Sequence, residues 1–100
     1  MIPAFSIALE ARNPERKHFR SYHVSAGLDL LGDWIVEIRY GRIGTAGHLL
    51  QHFAATEEQA RAIVRDSLRR RRSAPRRIGA PYIVKEVHAA EAWRIEAGTL

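Results

Sequence analysis

The stretch running Trp34-Ile-Val-Glu-Ile-Arg-Tyr40-Gly-Arg-Ile-Gly-Thr-Ala-Gly47 constrains the fold more than any other part of the chain. Its first half sets Trp34, Val36, Ile38 and Tyr40 on one side and Glu37 and Arg39 on the other. That is the period of a strand with one buried and one solvated face, as in an antiparallel sheet. Glycines at 41, 44 and 47 then break the strand, and the spacing predicts a reversal over 41–47. The strand spans about residues 33–40, and His48–Phe53 returns beside it as its partner. Tyr40 and Arg42 flank the first glycine where the strand gives out, which marks the corner as the working surface.

The remaining elements assemble around this hairpin. Phe5, Ile7, Leu9 and Ala11 alternate and predict a first strand over 5–11, followed by turn chemistry at Asn13-Pro14-Glu15-Arg16. Lys17–Val24 predicts a second strand, with Phe19 on one face and Tyr22 and Val24 on the other. Residues 25–32 read as a loop whose leucines, at 28, 30 and 31, fold back onto the core. Thr56 with Gln59 three residues on matches a capping box, and Ala60, Ile63, Val64 and Leu68 form an apolar stripe. The helix therefore runs over about 57–72 and is stopped by Ser73-Ala74-Pro75. Arg76–Pro81 reads as a basic linker and Tyr82–Val87 as a fifth strand. The result is an α+β class fold, a small mostly antiparallel β-sheet of four to five strands with one amphipathic helix packed on it. One domain covers residues 1–87, and 88–100 form a C-terminal tail or a weak helix.

Charge is distributed unevenly. The chain carries a net +5, yet residues 1–60 hold six basic and seven acidic side chains. Residues 61–79 hold eight arginines and one aspartate, a local +7. Such a segment is the footprint of a polyanion partner or, equally, of a solvated helix end. The absence of cysteine excludes disulfides and thiolate sites and fits a cytoplasmic protein. No apolar run approaches the roughly 20 residues that span a bilayer, and the N-terminus has no signal-peptide pattern.

Catalytic patterns are lacking. His48 and His52 have a helical metal spacing, but on a strand four residues span about 13 Å, too far to share one ion. No serine lies in a Gly-x-Ser-x-Gly context, and the glycines match neither the dinucleotide fingerprint nor a phosphate loop. No metal, cofactor or enzymatic activity is expected.

Taken in order, these features resemble the WGR domain family, named for a Trp-Gly-Arg triplet at the end of a central strand. The matching residues are the Asn-Pro turn, the aromatic strand Phe19–Val24, Trp34, the run Tyr40-Gly41-Arg42-Ile43-Gly44 with Gly47, and Thr56-Glu57-Glu58-Gln59 opening a helix with a basic end. The name-giving tryptophan is Tyr40 here. The resemblance implies a small sheet-and-helix fold and nucleic-acid binding, as in poly(ADP-ribose) polymerases, where such domains contact DNA at strand breaks. By position, Tyr40 would pack on a terminal sugar, and Arg42 would make polar contacts there or with a neighbouring domain.

The leading expectation is therefore a non-catalytic nucleic-acid-binding module, with DNA ahead of RNA as partner. Tyr40, Gly41, Arg42 and Gly44 would form the strand-end site. Arg69, Arg70, Arg71, Arg72, Arg76 and Arg77 would neutralise phosphates. The alternative is a protein–protein interaction module using the exposed sheet edge and the Tyr40-Gly41-Arg42 corner. A membrane-surface role is the weakest reading, because the helix needs its apolar stripe for the core. Strict alternation sets Tyr40 on the buried side, so exposure of its ring is the condition on which the site depends.

Overall fold

The computed structural model describes residues 1–100. Five strands form one sheet: β1 (Ile2–Asn13), β2 (His18–Leu28), β3 (Trp34–Arg42), β4 (His48–Ala54) and β5 (Ile83–Ala89). Their order is β4-β3-β2-β1-β5, and every neighbouring pair is antiparallel. A long helix, α1 (Glu57–Arg71), packs on one face, followed by a short helix, α2 (Ala74–Ile78).

The alternation seen in the sequence decides which face is covered. Phe5, Ile7, Leu9 and Ala11 of β1, Tyr22, Val24 and Ala26 of β2, and Val36 and Ile38 of β3 are all buried. Ala60, Val64 and Leu68 of α1 meet them in one core cluster. Each fully buried valine or leucine contributes about 1.5–3 kcal/mol, so this stripe holds the helix to the sheet. At its start, the Thr56 Oγ1 accepts from the Gln59 N–H at 3.1 Å. The Gln59 side chain accepts in turn from the Ala55 N–H at 3.0 Å. The capping box expected at Thr56 is thus formed, with its return bond one residue early.

Three expectations need correction. Residues 25–28 are not loop but the second half of β2, paired with both β1 and β3. Gly27 permits this, because a Cβ there would lie 2.0 Å from the Ile2 carbonyl oxygen of the adjoining strand. The leucines at 30 and 31 do not fold back. They are 96% and 87% exposed, because Asp29 closes a tight turn by accepting from the Leu31 and Asp33 N–H groups, both at 2.9 Å. Finally, the basic linker is helical. Pro75 falls within the first turn of α2, where a missing N–H costs nothing, so it starts a helix as well as ending one.

The C-terminal segment is built into the core. Glu91–Trp93 form a 3-10 turn that leads into a one-turn helix, α3 (Arg94–Ala97). Trp93 is 1% exposed. Its ring stacks on Phe5 at 5.6 Å and tilts against Trp34 at 5.9 Å. Three arginines of the basic segment hold this segment down. Arg61 donates to the Ala92 carbonyl at 3.1 Å, Arg65 to the buried Glu96 carboxylate at 2.8 Å, and Arg72 to the Thr99 carbonyl. These three arginines of the +7 segment are therefore engaged with the protein's own C-terminal segment.

Candidate nucleic-acid interface

Tyr40 and Tyr22 sit at the same level of the sheet, and the C-terminal end of α1 covers only Tyr22 closely. Tyr40 stands directly across from Tyr22 in the β2–β3 register, on the core face, as alternation requires. Tyr22 is buried at 6% exposure, whereas Tyr40 is 38% exposed. It is not packed under Trp34, whose ring meets Trp93 at the opposite end of the strand. Its ring lies 5.5 Å from that of His48, its partner on β4.

Tyr40 forms one wall of a cleft of about 160 Å³. Arg20 of β2, Arg71 of α1 and Arg77 of α2 line it too, with Tyr22 and Tyr82, and no carboxylate contributes to the lining. The Arg71 guanidinium lies 4.5 Å from the centre of the Tyr22 ring, a cation–π arrangement that fixes its direction. Burial pushes the Tyr22 hydroxyl pKa up, and the positive charge of Arg71 opposes this only in part. The phenol therefore stays protonated and able to donate. The Arg71 Nε is buried without a partner inside the protein.

Remote contacts place Arg77. Gly79 ends α2 in a left-handed conformation, and the Asn13 amide donates to the Ile78 carbonyl at 2.9 Å. The turn after β1 thus clamps α2, and Arg77 reaches the Arg70 carbonyl at 3.5 Å. A second depression of about 480 Å³ adjoins the cleft through Tyr22, Tyr40 and Arg71, and adds Arg70 and His52. There Arg70 pairs with Asp66 at 2.9 Å, a solvent-exposed pair that salt would screen.

Of the residues the sequence singled out, Tyr40, Gly41, Arg70, Arg71 and Arg77 come together at these depressions. Arg42 goes elsewhere. Its guanidinium lies over the Phe19 ring at 5.1 Å, in a depression it shares with Lys17, His18 and Arg20. Arg69 and Arg76 are exposed and line none of these depressions. Arg72 is committed to the C-terminal seam. Gly44 sits at the loop tip with φ 86° and shapes the turn. Arg20 was missed by sequence reasoning, although it faces Arg42 across the strands and borders both the cleft and the Arg42 depression. Only the strand register reveals it, since residues 1–60 are balanced in charge.

Gly47 keeps the corner closed. Its φ is +65°, and a Cβ there would lie 2.3 Å from the Tyr40 carbonyl oxygen. Gly47→Ala is expected to cost about 1–3 kcal/mol of stability from backbone strain and the clash. Because the clash is with Tyr40 itself, the amide resonances of residues 40–42 should move furthest in an NMR comparison of the two proteins.

Sheet, helix and cleft together define a small α+β binding domain with an aromatic and cationic groove at one end. A family model described as WGR domain matches residues 5–74. The chain belongs to the WGR domain family, a nucleic-acid-binding type of domain. It is also 34% identical over 88 residues to the uncharacterized protein y4dW of Sinorhizobium fredii (strain NBRC 101917 / NGR234). That match covers 88% of this chain but only 43% of the relative, so the chain spans less than half of that protein's length. No helix is long and apolar enough to cross a membrane. No group of three or more His, Cys, Asp or Glu side chains is placed to hold a metal ion.

Proposed function

We propose that the protein is a non-catalytic nucleic-acid-binding module that takes a strand end of DNA at the Tyr40 cleft. The observation that carries this reading is the composition of the cleft wall. An exposed tyrosine face stands with three arginines from three different elements and no carboxylate. Such a site attracts a phosphate and offers an aromatic surface to the sugar or base attached to it. The cleft volume of about 160 Å³ falls below the roughly 300–1,000 Å³ of pockets for drug-sized ligands, which suits one sugar–phosphate unit held at a surface. Arg69, Arg70 and Arg76 extend the positive field along the approach, and Arg42 on Phe19 supplies a second contact on the far side of Arg20.

The test compares ended with uninterrupted DNA. Tyr40→Ala is expected to weaken binding to blunt or nicked duplex by about 1–3 kcal/mol, the usual value of one stacked base. Closed circular duplex should be bound nearly as well as before. Arg42→Ala should likewise reduce end preference more than general affinity. An equal loss on both substrates for both variants would leave the corner as ordinary phosphate-contacting surface. A protein-interaction module would be indicated instead if neither variant changed DNA binding at all.

A further inference from the structure

The two edges of the sheet differ in a way that bears on assembly. At one edge, β5 carries Lys85 and Glu86 and shifts register against β1 between Ala8 and Leu9. Charge and a bulge are the usual protections of an edge strand. At the other edge, β4 reads His-Leu-Leu-Gln-His-Phe-Ala, with no lysine, arginine, carboxylate or proline, and its register with β3 is unbroken. All of its residues but Ala54 are exposed. A regular, uncharged, partly apolar edge of this length is a template for another strand.

From this pattern we infer that β4 pairs antiparallel with β4 of a second copy, about a two-fold axis through Gln51. Both copies then lie in one ten-stranded sheet with their helices on the same face. A two-fold perpendicular to the sheet requires each residue to face one of the same parity. Centring it on Gln51 pairs Leu49 with Phe53 of the other copy on the open face, twice over. On the helix side it pairs Leu50 with His52, also twice. Gln51 meets its own equivalent, where two amides can donate to and accept from each other. No formal charge opposes another anywhere along the seam. Phe53 is 68% exposed in the single chain, and this pairing covers it. It also sets the two Tyr40-lined grooves on one face, each reaching the seam through Leu50 and His52.

The lack of native cysteine allows a direct register test. In Gln51→Cys the two thiols would face each other with Cα atoms about 4.5–5.5 Å apart, within disulfide range. In Phe53→Cys the two would sit two residues to either side of the axis, about 13 Å apart along the strand. Under mild oxidation of the full chain, Gln51→Cys should convert to covalent dimer at least about tenfold faster than Phe53→Cys. Sedimentation equilibrium of the unmodified chain should show twice the 11.3 kDa monomer mass. Leu49→Lys with Phe53→Lys should be monomeric, and Leu49→Lys with Phe53→Glu should recover the dimer, because opposite charges then meet across the seam. A monomer at all concentrations would overturn the inference and leave an extended segment of another protein as the occupant of this edge. So would equal cross-linking at 51 and 53, or a dimer that survives the double lysine change.

Discussion

Replacing Arg20, Arg71 and Arg77 together by glutamine is expected to lower affinity for a short DNA duplex by at least about a hundredfold at 0.05 M salt. The same change should flatten the slope of log K against log salt by about three. Replacing Arg69 and Arg76, two exposed arginines of the basic segment that line no part of the cleft, should flatten it by at most about two and leave end preference intact. The contrast arises because the first three converge on one cleft from β2, α1 and α2, whereas Arg69 and Arg76 would reach phosphates only outside it. Arg71 also packs on Tyr22, so the triple variant should be checked by circular dichroism and thermal melting before its binding is compared. A triple variant that melts normally and binds as tightly as the parent would remove the cleft from the interface.

The largest effect on stability is expected from Trp93→Ala. Trp93 is completely enclosed, stacks on Phe5 and leans on Trp34, which begins the central strand. Truncation leaves a cavity between the sheet and the C-terminal segment, and buried tryptophan-to-alanine changes cost about 3–5 kcal/mol. A domain of this size has about 5–15 kcal/mol in total, so the change would consume much of its stability. The midpoint of urea unfolding should fall accordingly. A midpoint close to that of the parent would mean that residues 91–100 do not belong to the core.

The contrast between Trp93 and the hairpin shows what the sequence could and could not reveal. The central strand, its glycine reversal and the capped helix were legible because each is specified locally. Alternation, positive-φ glycines and a Thr-x-x-Gln box all act within a few residues of themselves. The C-terminal segment was not, because a single tryptophan in an alanine-rich run has no periodicity, and its burial depends on where β5 leaves the sheet. Gly27 and Pro75 misled for a related reason. Each looks like a breaker in sequence, but a crossing carbonyl needs the first and a helix start accepts the second. The condition on Tyr40 was also beyond local reading. Alternation correctly sets it on the core face, but Arg71 of α1 and Tyr82 cover its cross-strand neighbour Tyr22 and leave Tyr40, one strand nearer the β4 edge, partly exposed.

Linear charge was the least reliable guide to the site. The +7 segment includes Arg61, Arg65 and Arg72, which tie the C-terminus to α1 and so are engaged within the protein. In exchange, Arg20 arrives from a strand in a charge-balanced region, brought in by cross-strand register. The number of arginines offered to phosphate matches that expected, but Arg20 takes the place of Arg72. Salt dependence reports that number and not the identities, which makes it the most direct test of whether phosphates are bound at all.

The decisive measurement is a titration of the unmodified chain with duplex oligonucleotide from 0.05 to 0.2 M salt. With about four to six phosphates contacted by Arg20, Arg69, Arg70, Arg71, Arg76 and Arg77, log K should fall with log salt at a slope of about −4 to −5. Affinity that is unchanged across that range would contradict nucleic-acid binding through the arginine groove.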